Sequence, residues 1–195
     1  MSEASPLRGR RVVEVLATSA GGVGTHVRTI VPAIRAAGAR VGVCGAPATE
    51  ELFGFSAAGA DFRPVGISAG LAPVADGRAV GQLRRATAGA DLVHAHGLRA
   101  GLVAAAARRL SGERDRPLVL TLHNALQESS GPRQRLLRAV EGLTIRGADL
   151  VLAVSSDLAE AGRKQAAGWP DEAAALRRTV AVYRELLGPP GAVGS

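Results

Sequence analysis

The sequence predicts an α/β fold: a doubly wound parallel sheet of about six strands, with helices on both faces and further helices at the C-terminal end. Three observations carry that expectation. Short apolar runs alternate with stretches of helical spacing over residues 11–158. The runs RVVEVLA, PLVLTL and ADLVLAV are apolar almost throughout, as strands covered on both faces are. The helices between them supply the crossovers that parallel neighbours require.

Residues 11–17 read as the first strand. Over residues 22–37 apolar side chains recur at Val23, Val27, Ile30, Val31 and Ile34, the spacing of one helix face, and Gly38 is placed to end that helix. Residues 41–44 form a second strand, 50–58 a short helix closed by Gly59, and 61–67 a third strand. The Gly-, Pro- and Ala-rich residues 68–77 read as a loop. A helix over 78–87, a strand over 90–94 and an alanine-rich helix over 98–110 follow. Residues 117–122 are the fifth strand, 127–131 a polar loop, 133–146 a helix and 148–154 the sixth strand, after which Ser155 or Ser156 can cap a helix. The alternation then stops. Residues 163–167 are helical, Gly168, Trp169 and Pro170 break the pattern, and Asp171 can cap a last helix over 172–187. Trp169 is expected to dock the tail onto the body. Residues 1–158 are thus expected to form one Rossmann-like domain, 159–188 a helical tail and 189–195 a frayed end.

Composition bounds the function. With 38 Ala and 25 Gly but only 3% aromatic residues, the core must be built from Ala, Val and Leu with close helix–strand approaches. The 47% of hydrophobic residues excludes a disordered chain. The single cysteine, Cys44, excludes a disulfide framework and any CxxC site; ending an apolar strand, it reads as a buried structural thiol. The opening MSEASP has no apolar core, so no signal peptide is expected, and no apolar run approaches the length of a bilayer span. The expected compartment is the cytoplasm. Net charge is +7, and 23 of the 24 basic residues are arginine, Lys164 being the exception. They are dispersed without interleaved aromatics for base stacking, so nucleic acid is not an expected partner, whereas an anionic substrate or a peripheral membrane contact stays open.

In open doubly wound sheets ligands bind beyond the carboxyl ends of the strands, near the reversal of strand order, so the residues after each strand are weighed first. TSAGGVGT, residues 18–25, joins the first strand to the first helix. Its glycines admit close backbone approach and the helix N-terminus favours phosphate, but GGxG is a poor match to GxGxxG and the lysine of a phosphate-binding loop is absent; a tight strand–helix turn explains it as well. In His94-Ala-His96-Gly97 both rings can share a face. Only two ligands are local for a metal, and no carboxylate is near in sequence. His94, inside the strand, fits a buried hydrogen-bonded histidine, and His96, at the strand end, fits a substrate contact. His123-Asn124 follows the fifth strand on the same rim, although chance accounts for such a pair too.

Four segments in order, VVEVLATSAGGVGTHVRTIVPAIRAAGARVGVCG (12–45), DLVHAHGLRAGLVAA (91–105), PLVLTLHN (117–124) and ADLVLAVSSDL (148–158), resemble the N-terminal domain of family-4 retaining glycosyltransferases. The resemblance implies half of a GT-B fold, two Rossmann-like domains facing across a cleft. It implies that Gly21, Gly22, Gly24, Thr25 and Ser155 lie near the donor diphosphate and that His96 is the catalytic-site histidine close to the transferred sugar. It places Arg99, His123 and Asn124 on the acceptor side. The activity implied is transfer of a sugar from a nucleotide-sugar to an acceptor with retention, without cofactor or obligatory metal. The family's donor domain supplies an Arg/Lys pair and an E-x7-E spacing, and no two glutamates here are so spaced. Residues 161–187 are similar to the family's last helices, so most of the donor domain is absent from these residues and the expectation is a domain inactive alone. A separate donor-domain chain or a homodimer is the partner that would complete it. The alternative is a non-catalytic binding or oligomerisation module. A dinucleotide site is disfavoured by the glycine spacing and by the lack of an acidic residue ending the second strand.

Overall fold

The apolar runs form six parallel strands in the computed structural model, which describes residues 5–68, 70, 72–122, 132–153 and 172–188. They are β1 (Arg11–Leu16), β2 (Arg40–Gly45), β3 (Asp61–Pro64), β4 (Leu92–His96), β5 (Leu118–Leu122) and β6 (Leu150–Ala153). The helices are α1 (Gly22–Ala36), α2 (Pro47–Phe53), α3 (Pro73–Ala86), α4 (Leu98–Ser111), α5 (Pro132–Arg146) and α6 (Glu172–Leu187). The sheet order is β3-β2-β1-β4-β5-β6, so the winding reverses between β1 and β4.

Several boundaries differ from those the sequence predicts, β3 for instance ending at Pro64, and three of the differences have a clear local reason. Helix α3 begins at Pro73, inside the expected loop: proline suits the first turn, and the Asp76 carboxylate accepts the Ala72 N–H at 3.1 Å. Helix α2 stops at Phe53, because Gly54 turns left-handed (φ 62°) and the Glu50 carboxylate takes the N–H groups of Phe55 and Ser56. Strand β4 runs on to His96, which pairs with Leu16 on one side and Thr121 on the other. The expected helix over 163–167, Trp169, Lys164, the 127–131 loop and Ser156 lie outside the described residues.

Right-handed crossovers put α1 and α2 on one face of the sheet and α3, α4 and α5 on the other. The second face is closed by alanine: Ala100, Val103, Ala104 and Ala107 of α4 pack on Val93, Ala95, Leu118 and Leu120. Gly101 permits that approach, since a Cβ there would meet Leu120 and Thr144 side chains at 2.7 Å. On the first face the crossovers cover only the β1–β3 half. The β4–β6 half is covered by α6, whose Leu176, Val180, Tyr183, Leu186 and Leu187 join the cluster containing Val12, Leu16, Leu92 and Val119. Arg10 secures the far end of α6 by donating to the Leu187 carbonyl at 2.9 Å while pairing with Asp91 at 3.2 Å. Among the described residues, no helix is long and apolar enough to cross a membrane.

Candidate functional site

Helices α1 and α4 start beyond the carboxyl ends of β1 and β4, the two strands that flank the reversal of sheet order. Neither N-terminus is capped by a side chain. Gly21 and Gly22 are exposed, and a Cβ built on either would meet nothing within 4 Å, so the first turn of α1 is open to a ligand. Gly24 differs from its neighbours. It is buried, and a Cβ there would stand 2.2 Å from the Phe53 ring, so this glycine serves the packing of α1 on α2. Thr25 is exposed, and its carbonyl accepts the Thr29 hydroxyl at 3.0 Å. Gly97 holds φ 85° and ψ 162° at the start of α4, a conformation essentially confined to glycine.

Beneath this rim lies a buried polar cluster on the first face of the sheet. Glu14 of β1, His94 and His96 of β4, Thr121 of β5 and Tyr183 of α6 are each at most 2% exposed. Register and pleat bring them together: Glu14 is the lateral partner of His94, and alternate residues share a face. Glu14 Oε1 accepts from the Tyr183 hydroxyl at 2.8 Å. Glu14 Oε2 lies 2.7 Å from His96 Nε2 and 3.2 Å from His94 Nδ1. His94 Nδ1 also meets the Tyr183 oxygen at 2.5 Å, and its Nε2 meets Thr121 Oγ1 at 2.7 Å. His26, half-buried in the first turns of α1, sets its ring edge-on to His96 with centroids 5.6 Å apart. Three of the chain's 4 histidines therefore converge here.

The electrostatics follow from burial and neighbours. Burial works to raise the Glu14 carboxyl, but the charge of His94 and the hydrogen bonds from both histidines outweigh it and hold it well below the usual carboxylate range. Burial, with repulsion from His94, brings His96 down to about 4 against the pull of Glu14. Burial and the adjacent Glu14 push the Tyr183 phenol well up, so it remains a donor. Burial likewise pushes the Cys44 thiol up to about 12, as suits a structural thiol and not a nucleophile.

Among the described residues Glu14, His94 and His96 form the one cluster with ligand atoms close enough to hold a metal ion. Each of those residues also takes part in a hydrogen bond or ion pair within the cluster.

The structure brings Gly21, Gly22, Thr25 and His96 to one end of the sheet. His96 lies under the rim, however, with its Nε2 engaged by Glu14. Arg99, in the first turn of α4, turns toward α3: its guanidinium donates to Asp76 at 2.5 Å and to the Ser68 carbonyl at 3.2 Å. His123, Asn124 and Ser155 lie outside the described residues. Sequence reasoning passed over Glu14, His26 and Tyr183. A lone carboxylate inside RVVEVLA was the available signal for Glu14; nothing local marks Tyr183, 169 positions away. Away from this end, a cleft of about 400 Å³ is lined by Arg11, Arg63, Arg85 and Gln82. Arg11 is spent there on the carbonyls of Ala86 and Ala88, and Arg63 on Asp61.

Solved structures share this fold. MurG from Acinetobacter baumannii is 16% identical with a TM-score of 0.55, the match covering 74% of this chain and 41% of that one. Anabaena HepE in complex with UDP-glucose is 24% identical with a TM-score of 0.56, over 82% and 41%. A putative UDP-N-acetylglucosamine 2-epimerase from Listeria monocytogenes is 14% identical with a TM-score of 0.52, over 81% and 43%. The chain thus spans less than half the length of each. No curated protein sequence matches it. Residues 21–184 match the glycosyl transferase 4-like domain, a span that runs from the glycine turn through Tyr183. The chain belongs to the glycosyl transferase 4-like domain family.

Proposed function

We propose that this chain is the acceptor-side half of a sugar-transferring enzyme, and that the rim between α1 and α4 meets the diphosphate and sugar of a nucleotide-sugar. The observation that carries this reading is the pair of uncapped helix N-termini at the strand-order reversal, one opening on the unobstructed Gly21–Gly22 turn, in a member of a glycosyl transferase family. Free N–H groups and the positive end of the helix dipole suit a diphosphate. HepE, similar in fold, is known in complex with UDP-glucose, which makes that compound the natural first probe. His26 stands beside the turn as a group for a sugar hydroxyl with His96 buried just beneath it, and the α4 side of the rim, with the segment after β5, is the acceptor side.

The transfer we propose proceeds with retention and is not carried out by residues 1–195 alone. Stabilising the leaving diphosphate is the largest demand of such chemistry, and residues 1–195 do not hold the E-x7-E spacing that accompanies the donor domain's Arg/Lys clamp. Titration calorimetry of the wild type and of Gly22→Val with UDP-glucose tests the binding claim. The account expects measurable binding by the wild type, at least a tenfold loss in the variant and an unchanged melting temperature, since no atom obstructs a side chain there. Equal affinity in the two proteins would remove the glycine turn from the site.

A further inference from the structure

We infer that Glu14 is the positioning residue for His96: its carboxylate, clamped by Tyr183 from the C-terminal helix, fixes the ring's tautomer and makes α6 part of the site. The inference rests on the reading of His96 as a site residue.

Proton accounting leads to it. A carboxylate only accepts, so the 2.7 Å contact with Glu14 Oε2 requires the proton of His96 on Nε2. The Tyr183 hydroxyl donates its single proton to Glu14 Oε1, so its oxygen is the acceptor toward His94, and the 2.5 Å contact requires the proton of His94 on Nδ1. The two histidines, alternate residues of one strand with ring centroids 4.1 Å apart, therefore turn different ring protons to the Glu14–Tyr183 pair, Nε2–H from His96 and Nδ1–H from His94, while the Thr121 hydroxyl can serve His94 Nε2 as donor or acceptor. Glu14 is fully buried and accepts from two elements besides its own, β4 and α6, which leaves its side chain no freedom to turn. Among the described residues, the groups facing His96 include Glu14 on β1, His94 on β4 and His26 on α1, with Tyr183 of α6 and Thr121 of β5 reached through Glu14 and His94. In this setting the ring is uncharged at neutral pH and does not counter the charge of a diphosphate.

Side-chain ¹⁵N NMR of the full chain tests this without any ligand. The wild type is expected to show His96 as the Nε2–H tautomer, still unprotonated at pH 5, and a proton on Nδ1 of His94. Tyr183→Phe keeps the carboxylate and should keep the His96 tautomer. Glu14→Gln, with one acceptor oxygen in place of two, should convert the single His96 form into a mixture. Wild-type His96 carrying its proton on Nδ1, or titrating near pH 6.5 like a free imidazole, would overturn the inference even if Glu14→Gln fails to fold. A second arm separates this inference from the reading beneath it. A wild-type Nε2–H His96 together with undiminished UDP-glucose affinity in His96→Asn would uphold Glu14 as the positioning residue and reject His96 as a sugar contact.

Discussion

A carboxylate with no exposed surface is costly to bury unless its charge is met, and Glu14 is met three times, by His94, His96 and Tyr183. That compensation depends on protonation. Glu14 is depressed in the folded chain, so its contribution is present above the ordinary carboxylate range and is lost as acid reaches it. His96 is depressed to about 4 from an ordinary value of 6.5, so in this window the unfolded chain binds the extra proton and folding weakens as pH falls. Both slopes have the same sign. Urea unfolding followed between pH 7 and pH 4 should show stability declining steadily below about 6.5, the decline being reduced in His96→Asn. A flat profile would mean that the cluster is not in this charge state. His94 was legible in the sequence as a buried, hydrogen-bonded histidine, because it sits inside a strand. Glu14 was not, because a single acidic residue in an apolar strand shows its purpose only once the neighbouring strand and α6 are laid over it.

Among the elements, α6 is the one whose place the order of strands explains. The reversal between β1 and β4 sends every later crossover to the second face, so the first face over β4–β6 needs a cover from elsewhere in the chain. Tyr183 and its apolar neighbours provide it, and the apolar spacing within residues 172–187 made the helix itself readable. What the spacing could not show is that one of those residues is a hydrogen-bonding key and not only core. The short elements were less legible: the ends of α2 and α3 are decided by the side chains of Glu50 and Asp76 capturing backbone N–H groups, a local competition that periodicity does not register. Two substitutions separate packing from hydrogen bonding at Tyr183. Tyr183→Ala should cost about 3–5 kcal/mol, as large aromatic deletions in cores do. Tyr183→Phe, removing only the hydroxyl, should cost about 1–3 kcal/mol. Equal losses in chemical denaturation would assign the whole effect to the hydroxyl and none to the ring.

At the scale of the whole molecule, sheet order and motif position converge on one end of the sheet. The glycine turn, His26 and His96 come from segments seventy residues apart and meet there because β1 and β4 are neighbours. The fold class and this end of the sheet were readable because strand runs and glycine turns are local signals, whereas the packing of three histidines around one carboxylate is not. The positive charge is a competing attraction for an anionic ligand, since the cleft of Arg11, Arg63 and Arg85 lies elsewhere on the surface. Backbone amide NMR of the ¹⁵N-labelled chain, titrated with UDP-glucose, distinguishes the two regions directly. The account predicts shifts concentrated at Gly21, Gly22, Thr25, His26 and Gly97, with the amides around Arg63 and Arg85 unmoved. Shifts confined to the arginine cleft, or none at the rim at saturating ligand, would contradict it.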